Sequence, residues 1–473
     1  MSKKTILLMS RERCDSFFIE AVNELKSKYK IVVVVNKHNK DRYACIEGVS
    51  IEEWHDINTM LELSKHITPK QLEKLKKIEK ELGINCYQFN INYLLYEKFV
   101  NRYVRKSIHR PINTTIPQRV LLEYEFLSSI IEKHKVDYAL FETLDLTETM
   151  ILEGMARKGV IKQAFTQVIV SIAGEYRFRI SSGQHKISKR IIHTYNKGVF
   201  DAKSLSWAAE AVSRYEKEKP ETKFDKYHTK MGTIIPHYSF KQIANKLKML
   251  FAGDSLYPAL IKLKNRILSA KYFDNKLPEG EIISYFLQLS PEASTCSEVP
   301  EYANQEHMLE QIAIHGKYGY TLVIKEHPAC FGNRSKDFYK ELGALPNVVL
   351  LPPSFPTRDI ILNSTAIVVA TSTSAGLESV GSGIPVICLG EPFYNICKNN
   401  VKIKHPQEVW DVVDDLKVDK NEIINFFAAV YQSTYEHPQY DTPAEAIVRK
   451  GGGLVLAKAL DDEIQLYEAG VLS

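Results

Sequence analysis

Three stretches in the second half of this 473-residue chain place chemically capable side chains at the ends of apolar runs. In "TLVIKEHP" the run stops at Lys325-Glu326-His327-Pro328, where Pro328 forbids further strand pairing. A cation and an imidazole at an open strand end can meet developing negative charge. In "ATSTSAGLES", Thr371, Ser372, Thr373 and Ser374 are consecutive hydroxyls just before Gly376, at a strand-to-helix junction. A helix start offers N–H groups without intrahelical partners and a partial positive charge, which suit phosphate or carboxylate. One N-cap needs one such hydroxyl, and here there are four. Glu378 is expected in the first turn of that helix, where the dipole favours a carboxylate and where it could accept two ribose hydroxyls. The third stretch, "QLSPEAST", supplies Pro291, Glu292 and Ser294. Neither the P-loop pattern nor the Rossmann glycine fingerprint is present, so phosphate binding here would use hydroxyls and a bare helix start.

Strand ends of this kind need parallel strands to carry them. In the first 200 residues "KTILLM", "DSFFIEAVNELKSKY" and "KIVVVV" read as strand, helix and strand, a βαβ unit whose unbroken β-branched run predicts burial on both faces. "EYEFLSSIIEKHKVDYALFE" repeats helix then strand and ends at Glu142, with Asp145 just beyond. The rhythm fades between about 200 and 280 and resumes at "EIISYFLQL", running through "YTLVIK", "NVVLLP", "STAIVVAT" and "IPVICLG". The fold class predicted is therefore α/β, with two Rossmann-like domains and ligands held in an interdomain cleft at the carboxyl ends of the strands. The domains expected are an N-terminal domain at 1–200, a basic helical insert at 201–279, a C-terminal domain at 280–450 and a terminal helix at 451–473.

Composition narrows the classes. Lys and Arg number 62 against 57 Asp and Glu, a net charge of +5 that permits an anionic ligand or surface without implying nucleic acid. Seven scattered cysteines, with no C-x-x-C spacing, predict reduced thiols and no metal site. No apolar run reaches the length of a transmembrane helix, and "MSKKTILLMSRERCDSFF" reads as a first strand rather than a signal peptide. Residues 241–271 carry seven basic side chains against one Asp, interleaved with leucines and isoleucines: either a solvated helical face or an anionic-membrane surface, with Lys246, Lys248, Lys262 and Lys264 as its test positions. A cytoplasmic protein, peripheral at the inner membrane if that surface is used, is the expected location.

In order and spacing, "QLSPEAST", "VIKEHP" and "ATSTSAGLESVGSGIPVI" resemble the C-terminal half of bacterial capsule-biosynthesis glycosyltransferases, closest to the β-Kdo transferases. The HP and serine-rich motifs are also similar to those of bacterial sialyltransferases and polysialyltransferases. The resemblance covers about residues 280–395. It implies the GT-B fold, a CMP-activated 2-keto sugar acid as donor and a glycan or glycolipid acceptor. It also implies that His327-Pro328 meets the CMP phosphate, with Lys325 on the same side of the extended chain and the serine–threonine loop completing the cradle. No cofactor is expected beyond the donor itself. Kdo transferases often carry Gln-Pro where this chain has Ser290-Pro291, which leaves the sugar open; the stereochemical outcome is open too, retention following one resemblance and inversion the other. Transfer also needs a carboxylate near the anomeric carbon. Glu142 is the first choice, Asp145 the second and Glu292 a competitor. A second "EHP", at Glu436-His437-Pro438, follows a helix with no strand expected before it and reads as functionally silent. "SAGLESVGSGIPVI" also resembles the UDP-GlcNAc 2-epimerase site, and a non-catalytic assembly or export accessory is the alternative outside enzymes.

Overall fold

A computed structural model describes residues 3–10, 14–54, 67–83, 112–142, 144, 147–182, 188–217, 257–290, 292–296, 298–437 and 450–472. Two compact units emerge. Described residues through Ser204, together with those from Ala428 onward, form the first, and Leu205–Phe427 form the second. These boundaries differ from the expected ones in two respects. The described residues of the insert expected at 201–279 belong, from Leu205 on, to the second unit. The C-terminal domain was expected to run to 450 with a helix appended, whereas everything beyond Phe427 returns to the first unit.

The first unit holds a seven-stranded sheet in the order β13-β6-β5-β4-β1-β2-β3. Strands β1 (Thr5–Met9), β2 (Lys30–Val35), β3 (Val49–Glu53), β4 (Tyr138–Phe141) and β5 (Gln163–Ile172) are parallel. The β-branched run of β2 is buried on both faces, as its composition requires. Ile31, Val33 and Val35 join one core with Phe17 and Leu456, while Val32 and Val34 join the other with Leu75 and Ile78. The helix Pro69–Leu82 begins with a reciprocal cap between Thr68 and Gln71 and ends at Gly83, whose φ of 65° is a left-handed stop. Strand β6 (Glu175–Ser182) folds back antiparallel on β5 through Ala173-Gly174, both at positive φ.

The helix Gly452–Glu468 packs on the helix Asp15–Leu25 in this unit. Gly453 permits the approach, because an added Cβ would come within 2.3 Å of the Phe17 carbonyl oxygen. The Glu20 carboxylate accepts from the N–H groups of Gly451 at 3.0 Å and Gly453 at 3.1 Å, capping the helix start with charge. Just before it, β13 (Tyr435–Glu436) pairs antiparallel with β6, so the second "EHP" does follow a short strand, contrary to expectation.

The second unit holds a six-stranded, wholly parallel sheet in the order β12-β11-β10-β7-β8-β9. Its strands are β7 (Glu281–Phe286), β8 (Tyr320–Lys325), β9 (Val348–Leu351), β10 (Ala366–Val369), β11 (Val386–Cys388) and β12 (Val401–Lys402). Read from β9 to β12 this is the doubly wound 3-2-1-4-5-6 order, and the parallel strands of the first unit run 3-2-1-4-5. The two-Rossmann expectation is thus met by strand order in both units. The order reverses between β7 and β10 in one sheet and between β1 and β4 in the other, and open α/β sheets bind ligands at such points.

Candidate active site

The three sequence stretches leave neighbouring strands of the second sheet, in the lateral order β10, β7, β8. Register levels them: Val368 lies beside Tyr285, and Phe286 beside Lys325. Side chains then tie the loops together. Arg334, in the loop after β8, donates to the Gln288 carbonyl after β7 at 2.8 Å. Thr371, after β10, donates to Glu298 at 3.3 Å in the segment following β7. Gln305 clamps the same loop through both backbone groups of Gln288, at 2.7 and 3.3 Å.

The stretch Lys325 to Pro328 divides its side chains between roles. Lys325 is buried and donates from Nζ to the Thr357 hydroxyl at 2.6 Å. Glu326 is buried in the other direction, where it takes a 2.5 Å ion pair from Arg334 and a hydrogen bond from the Tyr339 hydroxyl. Burial pushes the Arg334 guanidinium down, but Glu326 outweighs it and holds the group above its ordinary value. Burial, with Glu326 beside it, pushes the Tyr339 phenol well up. Burial likewise raises the Cys330 thiol, which is therefore no thiolate nucleophile. His327 and Pro328 are half-buried at the strand mouth. The Nδ1 of His327 accepts from the Ala329 N–H at 3.2 Å, so in its neutral form the ring carries its proton on Nε2.

The hydroxyl run is more committed than expected. Thr371 is buried against Glu298. The oxygen of Ser372 accepts from the Phe393 N–H at 3.3 Å, which leaves its hydrogen as a donor. Thr373 is the N-cap of the helix Ser374–Gly381 and accepts from Gly376 N–H at 3.0 Å. Ser374 alone of the four is exposed. Glu378 is buried in the second turn rather than the first, because the helix begins at Ser374. Tyr394 braces this turn from beneath: its hydroxyl accepts from Thr373 N–H at 3.1 Å and donates to the Thr371 carbonyl at 3.4 Å. Gly376 makes room for it, since an added Cβ would lie 2.1 Å from that hydroxyl. Burial keeps the Tyr394 phenol protonated, its pKa raised from the usual value.

Glu292 is exposed and accepts from the Ser294 hydroxyl at 2.6 Å, so those two residues satisfy each other; Pro291 lies outside the described residues. In the first unit Glu142 directly follows β4, half-buried, at the strand-order reversal of that sheet, while Asp145 lies outside the described residues. Sequence reasoning missed Tyr394, Arg334 and Gln305. An aromatic in "EPFY" after a strand was the one local signal; the others act across the fold. Beside Arg334, a cavity of about 160 Å³ with mixed lining, Ser290, Gln305 and Asn333 on the polar side and Ala303, Cys330 and Phe338 on the apolar, could hold one ring-sized group. Among the described residues no cluster of His, Cys, Asp or Glu could hold a metal ion, and no helix is long and apolar enough to cross a membrane.

A search of curated proteins found no match. Among solved structures, the chain is similar to the β-Kdo 2,7 transferase KpsC of Thermosulfurimonas dismutans, at 14% identity over 71% of this chain and 90% of that one, with a TM-score of 0.38. It is also similar to a glycosyltransferase from Rickettsia africae (10% identity, all of both chains, TM-score 0.28). A third likeness is to the UDP-GlcNAc 2-epimerase of Methanocaldococcus jannaschii, at 10% identity over 97% of this chain and 99% of that one, with a TM-score of 0.22. At these scores the fold rests on the chain's own strand order. One stretch of sequence says more: residues 208–398, which contain all three strand-end loops, match the family of capsule polysaccharide biosynthesis proteins.

Proposed function

We propose that the protein is a glycosyltransferase of capsule polysaccharide assembly that moves a Kdo-like or nonulosonic acid from its CMP donor to a glycan or glycolipid acceptor without a metal ion. The observation that carries this reading is His327, half-buried at the strand mouth with its Nδ1 tied to its own loop, on the same sheet edge as the helix start at Ser374. When a CMP-sugar breaks its glycosidic bond, the departing phosphate gains charge, and donors fixed beforehand stabilise it at no cost of reorganisation. His327 Nε2, the Ser372 and Ser374 hydroxyls and the first N–H groups of the helix are such donors. The match over residues 208–398 supports a place in capsule synthesis. Glu142 is assigned the carboxylate role, as base for the acceptor or as nucleophile.

A thermal-shift panel of CMP, CDP, UDP and GDP, with and without EDTA, tests the donor, because a ligand that binds only the folded state stabilises it. CMP is expected to raise the melting temperature most and to do so in EDTA. An equal response to UDP, or a response that requires magnesium, would overturn the CMP reading and favour the epimerase alternative.

A further inference from the structure

The helix Tyr257–Ser269 is the described part of the basic segment, and its two faces do different things. One face grips the loop after β8. Lys262 donates to the Ala329 carbonyl at 3.3 Å, Asn265 to Gly332 at 3.1 Å and Arg266 to Phe331 at 2.9 Å. Arg266 and Ser269 on this face are buried. The grip is close: an added Cβ on Gly332 would lie 2.5 Å from the Lys262 carbonyl oxygen, and the glycine's φ of 87° suits no other residue well.

The opposite face is bare. Leu260 is 61% exposed and Ile267 56%, with Leu263 and Leu268 also exposed. Spacings of three, four and seven residues put Leu260, Leu263 and Ile267 on one stripe. Lys264 and, just past the helix, Lys271 are exposed, and no acidic residue occurs from Tyr257 to Phe273. A helix that shows water an apolar stripe flanked only by cations has the character of an interfacial helix. A protein partner would be expected to meet some acid–base pairing here, whereas an anionic bilayer offers both acyl chains and uniform negative charge.

We infer that the exposed face of Tyr257–Ser269 docks on an anionic lipid bilayer, with Leu260, Leu263 and Ile267 entering the headgroup boundary and Lys264 and Lys271 meeting lipid phosphates. The helix then separates the bilayer from the His327 loop by its own thickness, so docking orients that loop toward substrate held at the membrane surface.

Co-sedimentation of the full chain with vesicles, in the absence of any nucleotide, tests this independently of the donor reading. Binding is expected to phosphatidylglycerol-containing vesicles, to weaken with salt, and to be at background on pure phosphatidylcholine. Because these side chains are exposed, Leu260→Glu with Ile267→Glu should leave melting unchanged and lower the partition at least tenfold. Lys264→Gln and Lys271→Gln should each lower it about fivefold, as about 1 kcal/mol per surface cation requires. No binding at low salt, or binding indifferent to all four substitutions, would overturn the inference. A shift from dimer to monomer on Leu260→Glu, with vesicle binding absent, would give the face to a second copy of the chain instead.

Discussion

Glu-His-Pro occurs twice in this chain, at 326–328 and at 436–438, and the fold treats the two copies in opposite ways. At the first, a central parallel strand empties onto the carboxyl edge of the sheet, so Glu326 turns inward to Arg334 and His327 stays at the mouth with its ring fixed by its own loop. At the second, a two-residue strand pairs at the edge of the other sheet, beside β6. His437 is 1% exposed, donates its N–H to the Tyr176 carbonyl at 3.0 Å and stacks on Phe178 at 6.2 Å between ring centres. The first imidazole sits half-buried at a strand mouth, tied to its own loop, and the second is fully buried as packing. What separates them is the strand that delivers the tripeptide, since the tripeptide is the same.

Substitutions can widen or collapse that contrast. The largest effect is expected at Glu326→Ala, which strands the buried Arg334 charge and should cost about 3–5 kcal/mol in chemical denaturation. A cost near zero would mean that the ion pair does not anchor the loop. His327→Ala should change stability by about 1 kcal/mol or less, yet lower turnover on the order of a hundredfold and blunt the CMP thermal response. Full activity, or unfolding, in that variant would make the first copy structural like the second. His437→Ala should show the reverse pattern, losing about 2 kcal/mol of stability while the folded fraction keeps a normal response to CMP. This departs from the sequence expectation that the substitution would be silent.

The effect felt only over a window of pH is a titration in the same region as His437. Burial pushes the Glu463 carboxyl up to about 7 from the ordinary 4.5, against the pull of Arg190, Arg179 and Lys189 and with a push from Asp462. Between those two values the folded protein binds a proton that the unfolded chain releases. Stability from this group is therefore full below about pH 4.5 and is lost as pH rises through about 7, at no more than about 1.4 kcal/mol per pH unit. Glu463→Gln should flatten that part of the stability-versus-pH curve. An unchanged curve would show that Glu463 does not titrate there.

Strands were legible wherever burial on both faces wrote an unbroken β-branched run, as in "KIVVVV" and "AIVV". The β5–β6 hairpin carries a signal on its second side only, the alternation of "EYRFRIS" after Ala173-Gly174, which the surrounding βα rhythm masks. The candidate site was legible as loops at strand ends and less so as side chains. Thr371 and Thr373 look like ligand groups in sequence but are consumed by Glu298 and Gly376, partners that lie in different loops or in the cap itself. Arg334 gave no sign that it would turn back to Glu326. The return of the last helix to the first unit was unreadable for a similar reason: it depends on Glu20 and Gly453 meeting across more than 400 residues, and no local pattern encodes that.

That return has a consequence for the order in which the protein is made. Leu205–Phe427 leave the ribosome as one continuous stretch, so the second unit has all its strands before Gly452–Glu468 are made. The first unit is begun earlier and finished later. Until Gly452–Glu468 emerge, the helix Asp15–Leu25 lacks the surface that Gly453 lets come close, and Phe17 and Ala21 wait uncovered. A nascent chain of this protein therefore matures from its middle outward, and a ribosome stalled before Gly452 would hold a finished second unit and an unfinished, older first one.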